Sequence, residues 1–445
     1  MASRFFDLAR AAAAGQVVFN PCFVVGDTRF EFSTSRPPTE PHKQTASSAT
    51  VAFGRLITAA TNRELGRVVL KMWLTPSFEH NANCGDTEAL AYETEVYKFI
   101  TNQIVLRLQS PNFIPFLGFG ACHRWQAETN APQLRRPLAK LAAIITKYCG
   151  GKATDYTRLN VLMTQAGCRE SKCTTLSRFS REPPTDHRLV ECLSILFVLA
   201  YALRVLWSYG IQHNDLHTGN VILNNADPTR PLQIYVVGPN LERDTYIFAN
   251  TTLPREPVIF DWDRSYVDAS KANATLAPND PNRFAGTRRN TSLDQLNHCR
   301  AYGQCNIPNQ RFDLYTLLCN LTRGDTGFET VEAVDPELLR LMAREETRRG
   351  DSGHACLMYD SNAKRSREPP LGFPTPERFL GYPIFETFLA SGIVARGGNH
   401  ARDVAVQLHQ NNSVVYREPI RGGLPSDDAI ANYVMSLFAI KPMRN

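Results

Sequence analysis

One segment restricts the fold of this chain more than any other: a long apolar run that ends in a polar cluster. Residues 188–210, RLVECLSILFVLAYALRVLWSYG, have helical spacing and are apolar almost all round, which is typical of a helix buried in a core. The uninterrupted apolar part, CLSILFVLAYAL at 192–203, is shorter than the roughly 20 residues that a membrane span requires. The sequence therefore predicts a central core helix that ends at Gly210, in a protein without a membrane partner.

The polar cluster follows that helix immediately. HNDLHTGN at 213–220 places two histidines, an aspartate and an asparagine close together, and the strand-like VIL comes next. A polar turn after a helix is the plainest interpretation. A metal site is the second, because His213, Asp215 and His217 alternate and would point to one side of an extended backbone, with ligand types that transition metals accept.

Phosphoryl transfer is the third interpretation. This chemistry needs a carboxylate that accepts the hydroxyl proton, an amide oxygen that binds magnesium, and a second carboxylate that bridges metal and phosphates. Asp215 and Asn220, five positions apart, match the H-x-D-x-x-x-x-N catalytic loop of protein kinases. Asp261, which follows a strand-like run in VIFDWD, is the candidate for the bridging carboxylate.

Three residues earlier in the chain occur in the order that this chemistry requires. Lys71 lies in the strand-like VVLKMW, the context of a lysine that contacts the α- and β-phosphates of ATP. Glu93 lies in LAYETEVYKFI, a predicted helix after that strand, and is the candidate partner of the lysine. Gly54 lies 17 positions before Lys71, at the place of the last glycine of a glycine loop. The ordered set favours phosphoryl transfer over a turn or a metal site.

Length and composition are those of a folded globular protein. The chain has 445 residues, which favours two packed lobes, with 43% hydrophobic and 21% charged residues. A net charge of +6 without a long basic stripe argues against a nucleic-acid partner. The 11 cysteines contain no C-x-x-C, so we expect reduced thiols in an intracellular protein. The first residues lack the apolar region of a signal peptide.

The local patterns predict an α+β protein. Over 45–148, strand-like runs and one helix predict an antiparallel sheet with a helix, and PNFIPFLGFG and KLAAIITKYCGG are predicted strands of it. Over 149–395 the pattern is mainly helical, with LQIYVVG and TYIFAN as an inserted hairpin. Segments 1–44 and 396–445 are predicted extensions, and the second contains a closing helix, SDDAIANYVMSLF.

Together the motifs resemble the protein-kinase superfamily across roughly 45–390. Within it, the chain is most similar to the divergent serine/threonine kinases of large DNA viruses, which resemble casein kinases. The likeness is carried by LAYETEVYKFI, HNDLHTGNVIL, IFDWDRS, RFDLYTLL and PERFLGYPIFETF. The resemblance implies a bilobal fold with ATP in the cleft. It also implies that Thr146 and Tyr148, in a hinge over Thr146–Cys149, contact ATP, and that Asp313 braces the catalytic loop.

The chain also departs from the family pattern. Ala49 and Val51 stand where two further glycines of the glycine loop are expected, which predicts a weaker phosphate cradle. Asp-Trp-Asp replaces Asp-Phe-Gly at 261–263. His217 replaces a lysine whose positive charge steadies the transferring phosphoryl group, and histidine supplies that charge only when it is protonated.

The resemblance implies an ATP- and magnesium-dependent kinase that acts on serine or threonine hydroxyls of proteins. Asp215 would be the base, Lys71 held by Glu93 would bind the phosphates, and Asn220 and Asp261 would bind magnesium. Two alternatives stay open. The loop is also similar to that of aminoglycoside- and choline-type small-molecule kinases, and the eroded glycine loop fits a pseudokinase or virion scaffold. A viral kinase of this class is expected in the host cytoplasm and the virion; no oligomeric state is predicted.

Overall fold

The computed structural model describes most of the chain. Described are residues 4–15, 28–32, 49–58, 61–75, 87–123, 158–166, 174–183, 185–289, 308–322, 325–339, 372–410, 413–417 and 425–438, with isolated positions between them. Over these ranges the protein contains both helices and sheets, and nearly all strand pairs are antiparallel. The predicted α+β class is confirmed at this level.

A five-stranded antiparallel sheet contains the predicted lysine strand. Its strands are β1 (Thr28–Phe32), β2 (Ala49–Thr58), β3 (Glu64–Thr75), β4 (Phe116–His123) and β5 (Arg158–Gln165). They follow the order β1-β2-β3-β5-β4, so β3 lies at the centre. Val68, Leu70 and Met72 are buried on one face of β3, and Lys71 lies on the other, as the alternation of side chains along a strand requires.

Two elements from the predicted N-terminal extension join this sheet. Helix α1 (Arg4–Ala13) buries Leu8 in the apolar cluster that includes the inner face of β3. Leu8 Cδ2 lies only 2.9 Å from the place of a Cβ on Gly66, so α1 packs closely against β3 at this glycine. Strand β1 pairs along its whole length with β2. These two elements of the predicted N-terminal extension, 1–44, thus contribute to the large sheet and to its apolar core.

Helix α2 (Thr87–Phe99), predicted from the sequence, continues into a π-helical stretch over Ile100–Val105. Thr101 Oγ1 donates to Tyr97 O at 2.8 Å and accepts from Phe116 N at 2.7 Å. These two bonds tie the irregular end of α2 to the start of β4. Glu93 and Tyr97, one helical turn apart, both lie on the buried side of α2.

The predicted core helix is present as α4. The chain reaches it through β6 (Thr174–Thr175) and α3 (Leu176–Phe179), and α4 spans Asp186–Ser208. Thr185 caps its start by accepting Arg188 N–H at 3.3 Å, and Gly210, at φ 68°, lies just past its end. By length and composition this helix is apolar enough to cross a membrane, but 83% of that window is buried inside the protein.

Three small sheets follow α4 and bring the polar cluster beside the Asp-Trp-Asp segment. Their strands are β7 (Ile211–Gln212), β8 (Val221–Asn225), β9 (Leu232–Val236), β10 (Thr245–Ala249), β11 (Arg255–Ile259), β12 (Tyr266–Val267), β13 (Arg288–Arg289) and β14 (Ser413–Arg417). The strand orders are β11-β8-β6, β13-β12-β7 and β10-β9-β14. Val221 pairs with Ile259 in the antiparallel β8–β11 ladder. The loop before β8 and the segment after β11 therefore meet at one end of that ladder.

The third sheet joins the predicted inserted hairpin to the predicted C-terminal extension. β9 and β10 form that hairpin, and β14 pairs with β9 in parallel. Tyr416 of β14 accepts a hydrogen bond from the fully buried Arg230, whose Nη2 lies 2.7 Å from Glu256 Oε2 on β11. Residues 413–417 of the predicted C-terminal extension, 396–445, thus pair with the predicted hairpin.

The remaining helices lie mainly in the C-terminal half. They are α5 (Leu241–Asp244), α6 (Ala269–Ala272), α7 (Phe312–Leu321), α8 (Asp325–Val334), α9 (Pro376–Leu380), α10 (Ala390–Arg396), α11 (Gly398–His409) and α12 (Asp427–Phe438). Short 3-10 turns occur at Thr218–Asn220 and Pro383–Phe388. Helices α7 and α12 confirm two predicted helices, and α4 packs against α8, α9 and β11.

One predicted strand is wrong. The described residues of KLAAIITKYCGG include Ala142, Ala143 and Thr146, and all three are helical. Thr146 Oγ1 donates to Ala142 O, four residues earlier, at 2.8 Å. The last strand of the large sheet is β5, which ends at Gln165. Of the predicted hinge, Thr146–Cys149, only Thr146 lies within the described residues.

The cysteines differ in part from the prediction. Cys122 of β4 and Cys319 of α7 are each disulfide-bonded. The expectation of reduced thiols is therefore wrong for these two cysteines. Cys192 of α4 is a free thiol inside the core, where burial raises its pKa to about 12. A thiol with such a pKa stays protonated and unreactive near neutrality.

Candidate active site

The polar loop is anchored by Asp313 on α7. Its two carboxylate oxygens accept the backbone N–H groups of His213, at 2.7 Å, and of Asn214, at 2.9 Å. Burial raises the pKa of Asp313 to about 6, and the two N–H donors oppose that rise. Asn214 has a left-handed backbone with φ 66°, which the paired contact holds in place. The predicted bracing role of Asp313 is confirmed.

His213 is a structural residue within this loop. Its Nε2 lies 2.9 Å from Phe260 O, and its Nδ1 accepts Asp215 N–H at 3.3 Å. The proton therefore sits on Nε2, which donates to the carbonyl. Burial lowers the pKa of His213 to about 4, so the ring is neutral at pH 7. The ring packs 4.7 Å from that of Trp262, which is fully buried.

Asp215 carries the carboxylate that the loop presents. Its side chain is 14% exposed, and its Oδ2 lies 3.2 Å from Arg264 Nη1. Burial raises the pKa of Asp215 to about 7, while Arg264 acts in the opposite direction. A carboxyl group with a pKa near the working pH is suited to accept a proton.

Asn220 and His217 shape the loop around Asp215. Asn220 Nδ2 donates to Asp215 O at 3.0 Å, which uses the nitrogen end of its amide. His217 Nδ1 accepts Gly219 N–H at 3.0 Å, so the imidazole caps the 3-10 turn. A Cβ on Gly219 would come within 2.7 Å of the His217 ring, and glycine is therefore required beneath it.

The three predicted residues Lys71, Glu93 and Asp261 meet at one point. Lys71 Nζ lies 2.9 Å from both carboxylate oxygens of Glu93 and 2.8 Å from Asp261 Oδ1. Glu93 is 1% exposed, whereas the side chains of Lys71 and Asp261 are partly exposed. A strand of the large sheet, a helix and the segment after β11 thus contribute one residue each.

The charges at this point are coupled. Burial disfavours the Lys71 cation, but Asp261 and Glu93 outweigh it and hold the pKa of Lys71 above its ordinary value. Burial also disfavours ionised Asp261, yet Lys71 outweighs it and lowers the pKa of that carboxyl. Burial acts to raise the pKa of Glu93, and the adjacent Lys71 cation acts in the opposite direction. An ionised Asp261 beside a charged lysine suits the binding of metal and phosphate.

Asn220 and Asp261 carry oxygen donors of the kind that magnesium accepts. Among the described residues no group of three or more His, Cys, Asp or Glu is arranged around a common point. The ring nitrogens of His213 and His217 Nδ1 are already hydrogen-bonded within the protein, which disfavours the interpretation as a transition-metal site. Magnesium needs only one or two protein oxygens when phosphates and water complete its shell. Asn220 and Asp261 can supply these, and Phe260 N–H bonds Asn220 O at 3.2 Å.

The remaining predicted ATP-binding residues are Gly54, Thr146 and Tyr148. Gly54 is buried inside β2, with Phe32 and Val68 as its strand partners, three residues beyond Val51, the partner of Lys71. Thr146 lies in the helical stretch that precedes β5. Tyr148 lies outside the described residues. The structure thus brings together Lys71, Glu93 and Asp261, and separately Asp215, His217 and Asn220.

Two residues of the site were missed from the sequence. Arg264 pairs with Asp215, and Tyr97 accepts the Asp261 N–H at 2.9 Å. Tyr97 follows Glu93 by four positions, so it lies on the same helix face, and that spacing was a usable signal. Nothing in the local sequence signals the Arg264 contact, because it depends on the fold of the segment after β11.

No protein-family model matches this chain, and neither does any curated protein with which it was compared. The functional proposal therefore rests on the side-chain geometry of the chain itself.

Proposed function

We propose that the protein is an ATP- and magnesium-dependent kinase that transfers a phosphoryl group to serine or threonine hydroxyls of proteins. The observation that carries this proposal is the position of Lys71 Nζ, within 2.9 Å of Glu93 and 2.8 Å of Asp261. Kinase catalysis requires a strand lysine paired with a helix glutamate, together with an aspartate that binds magnesium. Asp215 and Asn220 lie in the loop that meets the Asp261 segment.

Each residue has a role that follows from its place. Lys71, held by Glu93, binds phosphate oxygens of ATP, and Asn220 and Asp261 would hold magnesium. Bound magnesium supplies positive charge to the phosphates. Asp215 orients the acceptor hydroxyl and accepts its proton, and Arg264 holds the carboxylate in place before the acceptor arrives. Catalysis of this kind depends mainly on positioning and on fixed charges.

The fold supports the same proposal. The large sheet carries Lys71, helix α2 carries Glu93, and the largely helical remainder of the chain carries the loop and Asp313. We therefore propose the bilobal kinase arrangement, with ATP between β3 and the Asp215 loop. The likeness to divergent viral serine/threonine kinases extends the proposal to an intracellular protein of an infected host cell.

Two alternatives have specific support. The loop that includes the His217 cap is similar to the loop of small-molecule kinases, which favours an aminoglycoside- or choline-type acceptor. Valine and alanine at the expected glycine positions favour a binding-only protein, whereas the intact Lys71–Glu93 pair argues for turnover.

Incubation with γ-labelled ATP and magnesium separates these possibilities. Parallel reactions contain a mixed protein acceptor, an aminoglycoside, choline or no acceptor, and a chelator provides the blank. We expect label on serine or threonine of the protein acceptor, lost on chelation. Label on a small molecule alone would replace the protein acceptor in the proposal. Bound ATP without transfer to any acceptor would overturn the kinase assignment in favour of a binding protein.

A further inference from the structure

The peptide group between Phe260 and Asp261 is held at both of its polar ends. Its carbonyl, Phe260 O, lies 2.9 Å from Nε2 of His213 in the catalytic loop. Its N–H, which belongs to Asp261, donates to the hydroxyl of Tyr97 on α2 at 2.9 Å. One end of the peptide is thus fixed by the helical half of the protein and the other end by the glutamate helix.

This peptide determines the direction of the Asp261 side chain. Asp261 has φ 73°, a left-handed backbone conformation that residues other than glycine rarely adopt and that the surroundings must maintain. The φ angle describes rotation about the bond between the Asp261 nitrogen and Cα. Fixing the plane of the preceding peptide therefore limits the directions in which the carboxylate can point.

Helix α2 acts on Asp261 in two ways, one indirect and one direct. Glu93 acts on the side chain through Lys71, which bonds Asp261 Oδ1. Tyr97, one turn later, acts on the backbone directly. The Tyr97 ring also meets the buried Trp262 ring edge-on, with centroids 6.4 Å apart, so the ring and the hydroxyl hold successive residues of the segment.

We infer that Tyr97 is a positioning residue for the metal-binding carboxylate of Asp261, and that its hydroxyl makes metal affinity depend on the position of α2. The inference rests on the proposed function, because it takes Asp261 as a magnesium ligand. Residues that orient a metal ligand without touching the metal commonly change metal affinity by about 10- to 100-fold when they are altered.

The chain offers a matched control on the same helix. Tyr92 is buried like Tyr97, and its hydroxyl donates to Ser265 O at 2.7 Å, in the same segment but four residues past Asp261. Tyr92→Phe and Tyr97→Phe each remove one buried hydroxyl and keep the ring. A purely structural role predicts similar effects of the two changes on every readout.

The experiment uses the full chain and two readouts that do not require turnover. Hydrogen exchange followed by mass spectrometry reports the Asp261 amide in nucleotide-free protein. Calorimetric titration of magnesium in the presence of ADP reports metal affinity. For Tyr97→Phe we expect faster exchange at Asp261 and a magnesium dissociation constant raised about tenfold. For Tyr92→Phe we expect unchanged exchange at Asp261 and an unchanged magnesium constant.

Each of the other outcomes would overturn either the role of Tyr97 or the proposed function. Equal magnesium constants for Tyr97→Phe and wild type, or equal shifts in both variants, would leave Tyr97 with a structural role only. A wild-type protein that binds no magnesium–ADP overturns the proposed function, and the metal role of Tyr97 with it. In that case faster exchange at Asp261 in Tyr97→Phe alone would still identify the peptide clamp, so the two failures are distinguishable.

Discussion

Lys71 Nζ lies 2.8 Å from Asp261 Oδ1 although 190 positions separate these residues in the chain. The contact joins the centre of the large sheet to the end of β11, beside the loop that carries Asp215. Glu93, on α2, binds the same lysine nitrogen. The proposed nucleotide site is therefore already assembled by the protein's own charges.

Glu93→Gln tests that assembly. The amide keeps the shape of the side chain but removes its negative charge. Lys71 is then attracted only by Asp261, and its ammonium group is less well positioned to bind phosphate. A charge-assisted hydrogen bond contributes about 1.5–3 kcal/mol, so we expect kcat/KM for ATP to fall roughly 10- to 100-fold. Glu191→Gln is the control. Glu191, on α4, is also buried, and its carboxylate lies 3.3 Å from Arg255. An equal loss in both variants would show a general stability effect.

The pH dependence of turnover follows from Asp215. Burial raises its pKa to about 7, so below that pH the group is protonated and cannot accept the hydroxyl proton. We expect kcat/KM to fall about tenfold per pH unit below about pH 7. Arg264→Gln removes the charge that favours ionised Asp215 and should move this acidic limb to higher pH, whereas Arg264→Lys should largely restore it. Superimposable profiles of wild type and Arg264→Gln would exclude this role.

Activity is expected without an activating phosphate. Many kinases carry arginine at the position of Asn214, where it pairs with a phosphate on the segment after the metal-binding aspartate. Here Asn214 Nδ2 donates to Arg264 O at 3.0 Å, and its Oδ1 accepts from Gln212, whose Oε1 accepts Asn309 N–H at 2.7 Å. Neutral amides thus join the catalytic loop to both ends of this segment. Phosphatase-treated enzyme should keep its rate; a large loss, with a phosphate mapped between 264 and 310, would refute this.

The contacts of His217 favour a capping role over the cationic role that was predicted from the sequence. Its Nδ1 accepts Gly219 N–H, so the imidazole caps the turn through that nitrogen. We expect His217→Asn, whose side-chain oxygen can cap the same turn, to keep more activity than His217→Ala. His217→Lys should lose the cap. A lysine variant with full activity and a flatter alkaline limb than wild type would instead support the cationic role predicted from the sequence.

Local patterns predicted the parts of the site that single elements carry. The apolar run of α4, the strand around Lys71 and the helix around Glu93 each have a period that is visible in the sequence. The short apolar run before Cys149 has no decisive period, because a buried strand and a buried helix look alike at that length, and it was predicted wrongly.

Contacts between distant segments could not be predicted in this way. The parallel pairing of β14 with β9 and the bond of Tyr416 to Arg230 join residues nearly two hundred positions apart. The Arg264–Asp215 pair depends on how β8 and β11 align. Such contacts arise from packing of the whole chain, which no local period encodes. Asp313 was the exception, because the resemblance of its helix to a known family supplied the distant partner.

The transfer rate of Asp215→Asn, measured together with ATP binding, tests the central claim most directly. The amide has the same shape, so magnesium–ATP binding should stay near the wild-type value, while the proton acceptor is lost. General-base groups typically contribute 10²–10⁴-fold, so we expect γ-phosphoryl transfer to fall by at least about a hundredfold. A variant that binds ATP and keeps more than about a tenth of the wild-type rate would contradict the assignment of Asp215 as the catalytic base.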